Sequence, residues 1–76
     1  MTGQSDAAVL ARNVRRIREE QRLSIEQLAR RTGLEQALLE AVESGTIDPT
    51  KWGVGESEAV AAGLGVTVFD LVREEP

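Results

Sequence analysis

The chain has 76 residues, a formal net charge of −4, and neither cysteine nor histidine. A chain of this length forms one domain, near the lower limit of what a single hydrophobic core can stabilise. Because disulfides, thiolate ligands and imidazole groups are all excluded, we expect no cofactor, no metal site and no enzymatic activity. The sequence has no apolar stretch of membrane-spanning length and no signal peptide, which predicts a cytoplasmic protein that does not contact a membrane.

Charge is unevenly distributed along the chain. Residues 1–34 carry seven arginines against four acidic residues, a net charge of +3, whereas residues 35–76 carry two basic residues against nine acidic ones, a net charge of −7. A nucleic-acid-binding domain usually has a basic surface. Only the first half of this chain could supply one.

The spacing of the apolar residues predicts an all-α protein, a compact bundle of about five short helices. We expect residues 1–8 to be a partly disordered N-terminus and residues 9–73 to form the domain. The predicted helices cover approximately residues 6–21, 24–32, 35–43, 56–62 and 68–73.

Polar residues and glycines mark the predicted helix ends. Ser24 with Gln27, and Thr67 with Asp70, have the three-residue spacing of capping boxes, in which each side chain bonds the other residue's backbone. Gly63 is expected to end the fourth helix.

The segment from Ser24 to Gly45 has the sequence pattern of a helix-turn-helix. Ala29 is small where the two helices must approach closely, Gly33 tolerates the positive φ of the turn, and Leu39 supplies an apolar anchor. Over residues 10–71 the chain resembles the Cro/C1-type (XRE) helix-turn-helix family. The likeness rests on NVRRIREEQRLSIEQLARRTGL, on ESG at the end of the third helix, and on LGVTVFDL near the C-terminus.

The resemblance implies a lambda-repressor-like domain and a transcriptional regulator that binds double-stranded DNA in a sequence-specific manner. It also implies a structural ion pair between Arg18 and Glu43, which would join the first helix to the end of the third. A homodimer is expected, with Phe69 and Leu71 of the last helix as its contact, unless that helix simply closes the core.

In a helix-turn-helix the second helix of the motif enters the major groove. At about 100° per residue with Leu39 turned inward, the predicted base contacts are Gln36, Ala37, Glu40 and Ser44. Gln36 suits an adenine edge and Glu40 a cytosine amine. This helix has no lysine or arginine, so the predicted phosphate contacts lie on the elements around it: Arg12, Arg15, Arg16, Arg30, Arg31 and Lys51.

A different function is also compatible with the sequence. Ile25 and Glu35 stand where the family often has a glutamine and a hydroxyl residue. Ala41 and Ser44 stand where it often has basic residues. The run LLEAVESG, followed by a longer loop, is similar to the helix-turn-helix domain of the bacterial cell-shape protein RodZ, which contacts a cytoskeletal protein. The alternative hypothesis is therefore a module that binds a protein partner and does not bind DNA.

Overall fold

The computed structural model describes residues 6–74. This part of the chain forms five α-helices and one turn of 3-10 helix, in the order α1 (Asp6–Glu20), α2 (Ile25–Thr32), α3 (Gln36–Ser44), the 3-10 turn (Pro49–Lys51), α4 (Val54–Leu64) and α5 (Val68–Val72). The predicted all-α bundle is confirmed. None of the helices in residues 6–74 has the length and apolar character to cross a membrane.

The predicted disorder of residues 1–8 falls largely outside the described residues, which begin at Asp6. Residues 6–8 form the first turn of α1. The domain predicted over residues 9–73 runs from that turn to Arg73, the C-cap of α5.

Each helix contributes at least one fully buried apolar side chain to a single core, and those with 0% exposure are Val14, Leu28, Leu39, Val60 and Leu71. Helix α1 packs against both α3 and α5, and α2 packs against both α3 and α4. Helix α1 is therefore the element through which α3 and α5 are held in one arrangement.

The two residues predicted as dimer contacts, Phe69 and Leu71, differ in their exposure to solvent. Leu71 is fully buried, so its assignment to a dimer surface is wrong: it closes the core, where α5 packs on α1 and α4. Phe69 faces outward and is 63% exposed. The buried Asn13 holds this end of α5, because its Nδ2 donates to the carbonyl oxygens of Leu71 at 2.9 Å and Arg73 at 2.8 Å.

Both predicted capping boxes are present. The Gln27 backbone N–H donates to Ser24 Oγ at 3.0 Å, and the Ser24 backbone N–H donates to Gln27 Oε1 at 2.8 Å. Thr67 and Asp70 make the same reciprocal pair at 3.1 and 3.0 Å. These bonds satisfy backbone groups that a helix N-terminus would otherwise leave unpaired, which fixes where α2 and α5 begin.

The prediction that Gly63 ends the fourth helix is wrong. Helix α4 continues to Leu64, and the left-handed residue after it is Gly65, at φ 72°. Gly63 instead lies inside the helix where α4 approaches α2: a Cβ on Gly63 would stand 2.7 Å from Thr32 Cγ2. The glycine is needed for interhelical contact, not for a turn.

We expect Gly63→Ala to lower the free energy of unfolding by about 1–3 kcal/mol, because the added methyl group overfills the α2–α4 contact. Urea denaturation followed by circular dichroism measures this. Gly55→Ala is the matched control, since a Cβ on Gly55 meets nothing within 4 Å. Adding Thr32→Ser, which removes the clashing methyl group, should restore most of the loss; failure to do so would show that the clash is not the cause.

Candidate nucleic-acid interface

The turn between α2 and α3 is fixed by short-range hydrogen bonds. Gly33 adopts φ 76° and donates its N–H to the Ala29 carbonyl. Thr32 Oγ1 donates to the same carbonyl at 3.3 Å and accepts the Leu34 N–H at 3.1 Å. Because this turn leaves little freedom between the two helices, the direction of α3 follows from the position of α2.

The four predicted base contacts, Gln36, Ala37, Glu40 and Ser44, are all exposed on α3, while Leu39 and Val42 of the same helix are buried. We call the exposed side of α3, formed by these four residues and the half-buried Ala41, the outer face.

All three polar side chains on the outer face are already hydrogen-bonded. Gln36 Nε2 donates to Glu40 Oε2 at 3.1 Å. Ser44 Oγ donates to the Ala41 carbonyl at 3.1 Å and lies 2.8 Å from Thr46 Oγ1. Gln36 and Glu40 were predicted as separate base contacts, although their four-residue spacing was the signal that they could pair.

Arg18 and Glu43, expected to pair, lie together in a two-bond arrangement. Arg18 Nε and Nη2 donate to the two carboxylate oxygens at 2.6 and 2.9 Å, and Nη1 donates to the Leu23 carbonyl at 2.7 Å. The side chains are only 12% and 7% exposed. The hydrogen bond to Glu43 raises the pKa of Arg18, although burial lowers it. The pair joins α1 to the last turn of α3 and neutralises one of the carboxylates on that helix.

One edge of the outer face borders a cleft of about 240 Å³, which is lined in part by Arg15 of α1. Its lining residues are Arg15, Arg18, Ile25, Glu40, Glu43 and Ser44. The Arg15 side chain is 63% exposed, and its Nε lies 3.6 Å from Glu19 Oε2. A cation on α1 therefore stands beside the outer face of α3.

The opposite edge borders a second cleft, of about 300 Å³, that contains Lys51. Its lining residues are Glu35, Ala37, Leu38, Ala41, Thr46, Ile47, Asp48 and Lys51. Glu40 and Ser44 line the first cleft whereas Ala37 and Ala41 line the second, so the clefts lie on opposite sides of the outer face.

The 3-10 turn that carries Lys51 is held by Asp48. Its Oδ1 accepts the Thr50 N–H at 2.9 Å and the Thr50 hydroxyl at 2.8 Å, and its carbonyl accepts the Lys51 N–H at 2.8 Å. The bonds from Thr50 lower the pKa of the Asp48 carboxyl, and the charge of Lys51 lowers it further. These contacts fix the backbone from which the lysine side chain extends.

The arrangement of α2, the turn and α3 agrees with the sequence family that the chain matches. The family described as a helix-turn-helix domain matches residues 9–73. The chain belongs to this helix-turn-helix family. The predicted resemblance to Cro/C1-type proteins is thereby confirmed.

Solved structures share the fold of this helix-turn-helix domain. A hypothetical transcription factor from Neisseria, NHTF, is 34% identical, with 96% of this chain and 80% of that chain covered and a TM-score of 0.84. The restriction-modification controller protein C.AhdI from Aeromonas hydrophila is 24% identical, with 90% of this chain and 98% of that chain covered and a TM-score of 0.80. A search of curated protein sequences finds no match.

The remaining predicted phosphate contacts of the helix-turn-helix domain do not line either of the two clefts beside α3. Arg31 Nη1 donates to the Gly63 carbonyl at 3.3 Å, so it faces α4. Arg30 pairs with Glu26 along α2 at 3.4 Å. Arg16, which pairs with Glu20 at 3.4 Å, lies on the side of α1 toward α5, and Arg12 is exposed about one turn before it. Among residues 6–74, Arg15 and Lys51 are the predicted phosphate contacts that border the clefts beside α3.

The charge of Arg16 has an electrostatic effect on α5. Hydrogen bonds from the Thr67 backbone and hydroxyl lower the pKa of the Asp70 carboxyl, and the charges of Arg73 and Arg16 lower it further. Arg16 therefore contributes to the electrostatics of the N-terminal turn of α5.

Proposed function

We propose that this helix-turn-helix domain is a DNA-binding transcriptional regulator that places α3 in the major groove. The observation that carries the proposal is the position of Arg15 and Lys51 on opposite edges of the outer face. An α-helix in the major groove has a phosphate backbone on each side. Cations on both edges can therefore neutralise phosphates while the outer face meets the bases. The likeness to NHTF, described as a hypothetical transcription factor, supports the same function.

The outer face would read bases by hydrogen bonds and methyl contacts. Gln36 can bond the N6 and N7 atoms of adenine, and Ala37 can contact a thymine methyl group. Ser44 lies one helical turn beyond Glu40. Its hydroxyl forms a hydrogen bond with the hydroxyl of Thr46. Of the other predicted phosphate contacts, Arg12 and Arg30 remain exposed enough to add to the surrounding positive potential.

Binding should depend steeply on salt. If Arg15 and Lys51 each neutralise one phosphate in each of two protomers, the logarithm of the affinity falls with a slope of about −3.6 against the logarithm of salt concentration, so raising salt from about 50 to about 200 mM weakens binding by about 100-fold. Fluorescence anisotropy with random-sequence duplex DNA measures this slope. Absence of binding at about 50 mM salt would contradict the proposal.

A homodimer through α5 would place two reading helices on one duplex. The neighbouring apolar side chains Phe69 and Val72 are 63% and 51% exposed, and the Arg73 guanidinium lies 5.8 Å from the centroid of the Phe69 ring. We propose that these residues form the contact between two copies.

Sedimentation equilibrium should therefore give a dimer for the native protein and a monomer for Phe69→Ser, because the substitution removes the largest apolar side chain of the contact. Val54→Ser is the matched control, since Val54 is 73% exposed but lies at the start of α4. Dissociation by both substitutions, or by neither, would contradict an α5 contact.

One observation favours a protein partner in place of DNA. Glu40 is the one charged side chain on the outer face of α3 as defined above, and a carboxylate there suits a basic protein surface better than a groove lined by phosphates. The salt titration separates the two functions, because a module of this kind would not bind duplex DNA even at low ionic strength.

A further inference from the structure

Gln36 and Glu40 form one recognition unit on α3. Both side chains are exposed, they stand one helical turn apart, and Gln36 Nε2 donates to Glu40 Oε2 at 3.1 Å. Within residues 6–74 this is the hydrogen bond that the structure gives to either side chain. We propose that Glu40 is a positioning residue: it fixes the amide of Gln36 so that Gln36 selects adenine and rejects guanine. The inference rests on the proposed function, since it names how that surface discriminates between bases.

The orientation follows from the chemistry of the two groups. A glutamine amide has an acceptor, Oε1, and a donor, Nε2, and a free side chain can exchange their positions by rotating about its last bond. An ionised carboxylate only accepts hydrogen bonds. Glu40 can therefore hold Nε2 but not Oε1, and the flipped amide would place two acceptors against each other.

The same bond changes what Gln36 can offer to a base. Nε2 carries two hydrogens, and one of them is given to Glu40. The amide is left with one hydrogen to donate and Oε1 to accept. Adenine presents an N7 acceptor and an N6 donor in the major groove, which this pair of groups matches. Guanine presents two acceptors, N7 and O6, which would require two free donors.

Guanine is disfavoured for a second reason. Its O6 would face Gln36 Oε1 with no hydrogen between them, and the carboxylate of Glu40 lies close to the same amide. A mismatched polar group of this kind, desolvated without a partner, is a strong source of discrimination. The negative charge of Glu40 weakens binding to every sequence, whereas its bond to Gln36 affects one base position.

The test compares base preference in five proteins: wild type, Glu40→Ala, Glu40→Gln, Gln36→Ala and the double variant Gln36→Ala, Glu40→Ala. Sites are first selected from a random duplex library by the wild-type protein, and duplexes with each base at each position are then titrated. Gln36→Ala identifies the position that Gln36 reads, where we expect the wild type to prefer adenine over guanine by about tenfold or more. Glu40→Ala should reduce that ratio to about threefold or less, at this position alone.

Glu40→Gln is the matched control. Both substitutions remove the charge and should strengthen binding to all sequences equally, but glutamine keeps a side-chain oxygen that can accept from Gln36 Nε2. We therefore expect Glu40→Gln to retain most of the adenine preference. In the Gln36→Ala background, Glu40→Ala should have no further effect on base preference, because the group that it positions is gone.

Three results would overturn the inference. An unchanged adenine-to-guanine ratio in Glu40→Ala would show that the amide needs no support. A lost preference for cytosine at a different position would show that Glu40 contacts a base directly. A wild-type protein that selects no sites at low salt would instead remove the proposed function, and this inference with it.

Discussion

Arg18→Met is expected to lower the free energy of unfolding by about 3–5 kcal/mol, because it leaves the carboxylate of Glu43 buried without its cation. That carboxylate is only 7% exposed and accepts two hydrogen bonds from Arg18. A domain of this size has a total stability of roughly 4–11 kcal/mol. The substitution should therefore leave a marginally folded protein, measured by urea denaturation followed by circular dichroism.

Two controls identify the cause of the loss. Arg30→Met breaks an ion pair whose side chains are 68% and 67% exposed, and should cost less than about 1 kcal/mol. The double variant Arg18→Met, Glu43→Leu removes both charges and should recover much of the lost stability, since an apolar pair can replace a buried ion pair. A loss in Arg18→Met no larger than that in Arg30→Met would show that the pair contributes no more than a surface contact.

Arg15→Ala is expected to weaken binding to every duplex sequence by about eightfold for each protomer on the DNA at about 100 mM salt, and to reduce the magnitude of the salt slope by about 0.9 for each protomer. The reason is that one phosphate contact releases about 0.9 of a counterion, and the arginine carries no information about the base sequence. Anisotropy titrations at several salt concentrations, with a selected site and with random duplex DNA, measure both quantities.

Arg31→Ala is the matched control for this experiment. It removes the same charge from an exposed arginine of the same domain, but Arg31 donates to the Gly63 carbonyl and so faces α4. We expect the salt slope to stay at its wild-type value. Equal changes in the two variants would mean that net charge, and not the position of Arg15 beside α3, governs affinity.

Local rules were sufficient for much of the fold. Helix periodicity and the capping boxes at Ser24 and Thr67 depend on residues within one turn of each other. They can therefore be predicted from the sequence alone. The role of Gly63 was predicted wrongly because a sequence alone does not distinguish a glycine that ends a helix from one that lets two helices approach closely. Its role depends on Thr32, 31 residues away, which only the packing of α4 on α2 reveals.

The site was predicted less completely than the fold. The Arg18–Glu43 pair was available through the family resemblance and not through spacing, because its partners lie on different helices. Nothing in the sequence ranked the six predicted phosphate contacts against one another. Arg15 and Arg31 differ only in which neighbouring helix they face, and that follows from the tertiary arrangement. Ile25, which lines the same cleft as Arg15, was singled out through the family resemblance, as standing where the family often has a glutamine.

If the proposed dimer forms through α5, Asn13 would help α1 to set the distance between the two α3 helices. The Asn13 side chain hydrogen-bonds the C-terminal end of α5. Arg18, on the same 15-residue helix, hydrogen-bonds Glu43 at the end of α3. In a dimer joined through α5, the separation and angle between the two α3 helices are then set by the length and rigidity of α1. On the proposed function, the number of base pairs between the two half-sites would then depend on a helix that need not contact a base.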